Sequence, residues 1–151
     1  MYHSLEKVVA ESRRKNDVAN KILHPLASRL SIYFSWIFIN IGISANGATL
    51  IFFLFGLAST VLILGNTLTF ILLSYLCYRL HIIVDVSDGE VARYNQTFSI
   101  NGSYWDSMIH QLVYPLLFIS MTIAQFFIWD DPLFLILGCF GGIVVGLTMS
   151  V

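Results

Sequence analysis

The chain has 151 residues, 57% of them hydrophobic and 11% charged, with a formal net charge of −1. Soluble domains carry roughly 25% charged residues, so this deficit, with apolar runs near the ~20 residues that cross a bilayer, excludes an ordinary soluble fold. The runs are continuous rather than alternating, which excludes a β-barrel and predicts an all-α integral membrane protein: a transmembrane helix bundle with an N-terminal interfacial helix.

Residues 1–25 are mixed and charged and lack the apolar centre of a cleavable signal peptide. They predict a helix around Leu5–Ala19, in a solvated cytoplasmic segment that touches anionic headgroups. Residues 26–43 are apolar but short for a span, and Ser28, Ser31, Ser35 and Asn40 interrupt them. The serines recur at three and four residues and so share one helical face, while Tyr33 and Trp36 suit the interface. A helix lying in the membrane surface is expected there. Ser44-Ala45-Asn46-Gly47 has helix-capping character and opens a transmembrane domain over residues 44–151.

Residues 48–64 form a clear span, in which Gly56, Ala58 and Ser59 permit close helix contact. Gly65-Asn66 is a tight turn. Residues 67–94 form a long apolar helix ending in an acidic stretch, residues 96–102 a loop, and residues 103–128 the next helix. Trp129-Asp130-Asp131-Pro132 is an interfacial turn. Residues 133–151 are apolar, with Gly138, Gly141, Gly142 and Gly146 as a small-residue face. The last residues carry no polar flank, which predicts a fragment of a longer product. Cys77 and Cys139 lie in apolar runs and are expected to be buried, inert thiols. Six of the eight Lys and Arg residues precede residue 30, so the positive-inside rule places the N-terminus in the cytoplasm. With 26–43 on the surface, the acidic stretch returns to the cytoplasmic face.

That stretch is Asp85, Asp88, Gly89, Ala92 and Arg93, followed by Gly102, Asp106 and His110. Asp85 and Asp88 are helical neighbours, and Gly89 and Ala92 continue their stripe. Gly102, Asp106 and His110 recur at intervals of four on one face of the next helix. A nine-residue link, 94–102, is expected to fold the two stripes toward each other. Charge of that density between apolar segments is expensive and marks a functional site. Hard oxygen ligands suit Mg²⁺ or Mn²⁺ with substrate phosphates, and two such ions could clamp a phosphoanhydride. Small residues admit a flat nucleobase, and Arg93 can neutralise a phosphate. An inert network of these acids with Arg79, Arg93 and the histidines is the alternative.

The pattern D-x-x-D-G-x-x-A-R, eight residues, then G-x-x-x-D-x-x-x-D resembles the signature of the CDP-alcohol phosphotransferase family. Asp85, Asp88, Gly89, Ala92, Arg93, Gly102 and Asp106 fill seven of its eight defined positions. Ser44-Ala45-Asn46 is similar to the family's Ser/Thr-Pro-Asn segment, with Ala45 in place of proline. The likeness covers residues 26–128. It implies a CDP-linked donor, often CDP-diacylglycerol, whose β-phosphorus is attacked by an alcohol acceptor, releasing CMP in phospholipid or related lipid biosynthesis. It further implies that Asp85, Asp88 and Asp106 hold one divalent ion and that Asp85 and Asp106 share a second. Gly89, Ala92, Arg93 and Gly102 would line the nucleotide site, with Ser44, Asn46, Gly47 and Ser99 nearby. A homodimer among membrane lipids, with six spans where about four are legible, also belongs to the resemblance; nucleic acid does not.

His110 stands where the family has its last carboxylate, which serves as general base and second-metal ligand. A neutral imidazole can do both, with a reference pKa near ~6.5. It adds no negative charge, so the second ion site is weakened or shifted toward Mn²⁺ or Zn²⁺. Two other functions stay open: a catalytically impaired, nucleotide-binding paralogue or dimer partner, and an ion or proton pathway through Asp85, Asp88, Asp106 and His110. His81, four residues before Asp85, is either a ligand-orienting group or a polar residue of the bundle. Arg79 is expected to snorkel or pair with an acid, Glu90 to be solvated, and Trp105 and Trp129 to anchor at the interface.

Overall fold

A computed structural model describes residues 3–13, 25–97 and 100–149. Ser99 and residues 14–19 of the predicted N-terminal helix fall outside the described residues. Six α-helices follow in order: α1 (Leu5–Ser12), α2 (Pro25–Ile41), α3 (Ala45–Leu62), α4 (Leu68–Asn95), α5 (Ile100–Trp129) and α6 (Leu133–Met149), with a 3-10 turn at Ile63–Gly65 between α3 and α4. No strand occurs among the described residues. Three stretches, Ala45–Gly65, Leu68–Asn95 and Asn101–Trp129, are long and apolar enough to cross a membrane, which marks a multi-pass membrane protein. At ~1.5 Å per residue, α2 extends about 26 Å, short of a ~30 Å hydrocarbon core. It is a shorter apolar helix, as is Leu133–Thr148 within α6.

Local chemistry sets the helix boundaries. Ser44 Oγ accepts from the Gly47 N–H at 3.2 Å, an N-cap for α3. α2 stops at Gly42, whose φ of +79° suits a residue without Cβ. There the Ile43 N–H donates to the Phe38 carbonyl and the Gly42 N–H to that of Ile39, closing a Schellman motif. α4 ends the same way, with Gln96 left-handed and the Thr97 N–H donating to the Ala92 carbonyl. α5 starts at Ile100 rather than residue 103. The link after α4 is therefore shorter than the nine residues expected, because Ile100, Asn101 and Gly102 join the first turn of α5.

Residue contacts divide the chain into two compact units. The first comprises Met1–Phe52 and Arg79–Gly102. Its core includes Val8, Ile32, Phe52, Val84 and Val91. α1 packs on α2 and buries Val8 and Ser12 completely, so this helix is docked by one face rather than solvated all round. Hydrogen bonds of the His3 backbone to α2 add to this docking. The His3 N–H donates to Asn40 Oδ1 (2.8 Å), and Trp36 Nε1 donates to the His3 carbonyl (2.9 Å).

The second unit comprises Phe53–Tyr78 and Ser103–Val151. The expected glycine face of α6 lies against α5. A Cβ built on Gly141 would collide with the Phe118 ring, one on Gly138 with Thr122, and one on Gly142 with Ile119. Such close approach of small residues is how membrane helices gain van der Waals contact without a hydrophobic drive. Ser59 and Ser74 tie α3 to α4, with Ser74 Oγ donating to the Ser59 carbonyl at 2.8 Å. Pro115 interrupts the hydrogen bonding of α5, which neighbouring helices tolerate in a membrane. Many apolar side chains face outward, among them Val61, Phe127 and Phe140, as contact with lipid requires. Cys139 is exposed and Cys77 half-buried, and both are free. The expectation of buried thiols is corrected: an apolar residue of a membrane helix can face lipid.

Candidate functional site

In the first unit, the acidic end of α4 carries Asp85 and Asp88, both half-buried. Thr49, on the first turns of α3, donates its Oγ1 hydrogen to Asp88 Oδ2 at 2.9 Å. This contact orients one carboxylate. Ser44, Asn46 and Gly47 lie at the start of the same helix, with Ser44 engaged as its cap and Asn46 exposed. Ala92 is half-buried one turn after Asp88. The Arg93 guanidinium lies alongside Gly89, where a Cβ would come within 3.3 Å of Nη1. Its Nε donates to the Ser12 carbonyl at 2.5 Å. His81 is fully buried, its Nδ1 2.8 Å from the Phe52 carbonyl and its ring edge-on to Phe52.

Glu90 corrects an expectation. It is 4% exposed, not solvated. Ser35 Oγ donates to its Oε2 at 2.6 Å and Ser31 Oγ to its Oε1 at 3.0 Å. Arg13 Nε lies 3.7 Å from Oε1. Ser87, one turn before Val91, donates to the Ser31 carbonyl at 3.0 Å. The serine face of α2 is thus a receptor for a buried acid, because a carboxylate removed from water needs donors and a countercharge.

In the second unit, α5 presents Asp106 and His110 on one face. His110 Nε2 lies 3.2 Å from Asp106 Oδ1. The imidazole also stacks on Tyr114, one turn further, with centroids 5.2 Å apart and planes 26° from parallel. Tyr114 in turn meets Tyr78 edge-on at 6.3 Å. Gly102 sits in the first turn of the same helix, half-buried. Trp105 is exposed, as is Trp129.

Each unit by itself offers metal-ligand chemistry: Asp85 and Asp88 three residues apart on α4 in the first, and Asp106 beside His110 on α5 in the second. Carboxylate oxygens suit Mg²⁺ and Mn²⁺, and an imidazole nitrogen suits Mn²⁺ better than Mg²⁺. Sequence reasoning missed Thr49 and the Glu90 cluster. Thr49 follows the capping segment by two residues, and a lone hydroxyl there is a weak signal. A serine stripe at three and four residues was the visible sign of a polar face, but its partner lies 55 residues away at Glu90.

No model of a known protein family matches this chain, and no curated protein matches its sequence.

Proposed function

We propose that the chain is a CDP-alcohol phosphotransferase. It transfers a phospho-alcohol group, with phosphatidyl as the leading case, from a CDP-activated donor to an alcohol acceptor at the cytoplasmic membrane face. The observation that carries this is the Asp106–His110 contact at 3.2 Å, a carboxylate and a nitrogen base one turn apart on a membrane helix. In this proposal, which follows the motif's resemblance, the carboxylates of Asp85, Asp88 and Asp106 would hold the metal, with Asp88 oriented by Thr49. When bound, Mg²⁺ or Mn²⁺ supplies positive charge to the phosphoanhydride oxygens.

The chain's own groups do the rest. Asp106 lies beside His110, and Tyr114 stacks on the plane of its ring. The His110 imidazole takes the proton of the acceptor hydroxyl. The acceptor oxygen bonds to the β-phosphorus, the bond from that phosphorus to the bridging oxygen breaks, and CMP leaves with the electron pair. Arg93 pairs with a phosphate of the nucleotide, and Gly89 and Ala92 give the floor on which the nucleotide lies.

The test is CMP release by purified protein with Mg²⁺ or Mn²⁺, across CDP-diacylglycerol and small CDP-alcohols and a panel of alcohols. Metal-dependent release that Asp85→Asn abolishes supports the proposal. Metal-dependent CMP binding with no release from any pair identifies the impaired paralogue instead. Absence of both leaves the ion-pathway alternative.

A further inference from the structure

The second unit holds a cavity of about 570 Å³ whose walls include Ile71, Phe118, Met121, Phe134, Leu137 and Phe140. Gln125 also lines it, 19 residues after Asp106 on the same helix (125 − 106), or about 28 Å at ~1.5 Å per residue. The cavity is therefore at the opposite end of α5 from Asp106 and His110. Local contacts build it. Asn66 is left-handed after the 3-10 turn, and its Nδ2 donates to the Ala124 carbonyl at 3.0 Å, which pins the α3–α4 turn to α5. Thr122 Oγ1 turns back to the Ile119 carbonyl at 2.9 Å. The side-chain amide of Gln125, by contrast, makes no hydrogen bond among the described residues. An amide left without a partner at membrane depth is costly. An occupant that suits this cavity is hydrocarbon along most of its length and polar at Gln125.

Charge and size narrow the occupant. Gln125 is one turn before Trp129, where α5 ends, and the turn beyond carries Asp130 and Asp131, both exposed. The Asp131 carbonyl accepts from the N–H of Phe134, a residue of the cavity wall. The second unit has no lysine or arginine. A headgroup at this mouth meets negative charge, which repels an anionic lipid and favours an ammonium. A helix with its side chains is ~10–12 Å across and rises ~5.4 Å per turn, so one turn fills about 400–600 Å³. The cavity has room for about one such turn, too little for a packed helix, whereas a flexible chain can thread its length.

We propose that this cavity binds a bilayer phospholipid with an ammonium headgroup. One acyl chain lies along Phe118, Met121 and Phe140, an ester carbonyl accepts from the Gln125 amide, and the amine faces Asp130 and Asp131. The site stands apart from the chemistry proposed at the acidic residues and does not depend on it.

The experiment offers the purified chain, in mild detergent, phosphatidylethanolamine or phosphatidylglycerol with matched chains, and counts retained lipid by native mass spectrometry. Phosphatidylethanolamine carrying a diazirine on one chain then maps the contact. Wild type should retain phosphatidylethanolamine about threefold better, the scale of exposed charge contacts. Crosslinks should fall within residues 118–125 and 134–141. Met121→Trp fills the cavity and should lower retention about tenfold, the scale of two excluded methylenes. Gln125→Leu should lower it about fivefold, the scale of one hydrogen bond. Asp130→Asn combined with Asp131→Asn keeps an acceptor for the Leu133 N–H and should remove the headgroup preference. Equal retention of the two lipids by wild type, crosslinks confined to other segments, or retention that Met121→Trp and Gln125→Leu leave unchanged overturns the proposal. Dimers that exclude the lipid would show a second copy on this face and overturn it as well. Should Met121→Trp fail to fold by circular dichroism, Leu137→Trp fills the same cavity and carries the same expectation.

Discussion

Replacing Glu90 with alanine removes the acceptor of two buried hydroxyls and the countercharge of Arg13, without touching the carboxylates of the candidate site. Hydrogen bonds to a charged group contribute about 1.5–3 kcal/mol each in soluble proteins, whereas polar contacts between membrane helices average ~0.6 kcal/mol. Breaking a buried ion pair from one side costs about 3–5 kcal/mol. The Arg13 side chain is 35% exposed and can rehydrate, which places the loss near the lower end, at about 3 kcal/mol. At roughly 2–4 °C per kcal/mol for a chain of this size, Tm falls by about 6–12 °C. Glu90→Gln keeps an amide oxygen for one serine and should lose about half as much. The assay is thermal loss of helical circular dichroism in detergent. A thiol-reactive dye is unsuited because Cys139 is exposed before unfolding. A Glu90→Ala protein melting within about 2 °C of wild type would show a solvated carboxylate and refute the buried cluster.

Three further outcomes are expected. Gly141→Leu drives a branched side chain into the Phe118 ring and should destabilise the α5–α6 pair by about 1–3 kcal/mol, read as a lower Tm; an unchanged Tm would mean that the glycine face does not pack. Thr49→Val removes the donor to Asp88 and should weaken Mn²⁺ binding by about fivefold in calorimetric titration, the scale of one hydrogen bond; equal affinity would remove Thr49 from the site. His110→Asp shortens the side chain and loses the Tyr114 stack, so CMP release should fall by about 10²-fold or more if the imidazole is the working base, while a rise would identify a degraded site.

Much of the helical layout was legible because each device is local. Ser44 caps the helix that its segment announced, Asn66 makes the turn after Gly65, and the α6 glycines recur at spacings that only a packed face explains. The acidic stripes were legible for the same reason: i, i+3 and i, i+4 spacing places Asp106 against His110 without further information. What escaped was long-range. Glu90 is off the acidic stripe, and a charged residue off a functional face defaults to solvent. Its burial depends on Ser31 and Ser35, on a helix nothing in the local pattern ties to it. The docking of α1 escaped likewise, since His3 and Tyr94 are 91 residues apart. Cys139 was misplaced by applying a soluble-protein rule, apolar means buried, to a helix that faces lipid.

Mn²⁺ binding in the presence and absence of CMP, followed by electron paramagnetic resonance in wild type, Asp85→Asn and Asp106→Asn, tests the metal–nucleotide site most directly. Wild type should bind Mn²⁺ more tightly once CMP is present, and each substitution should abolish that gain. Mn²⁺ binding that ignores CMP, or that survives both substitutions, would contradict a nucleotide-linked metal site at these residues.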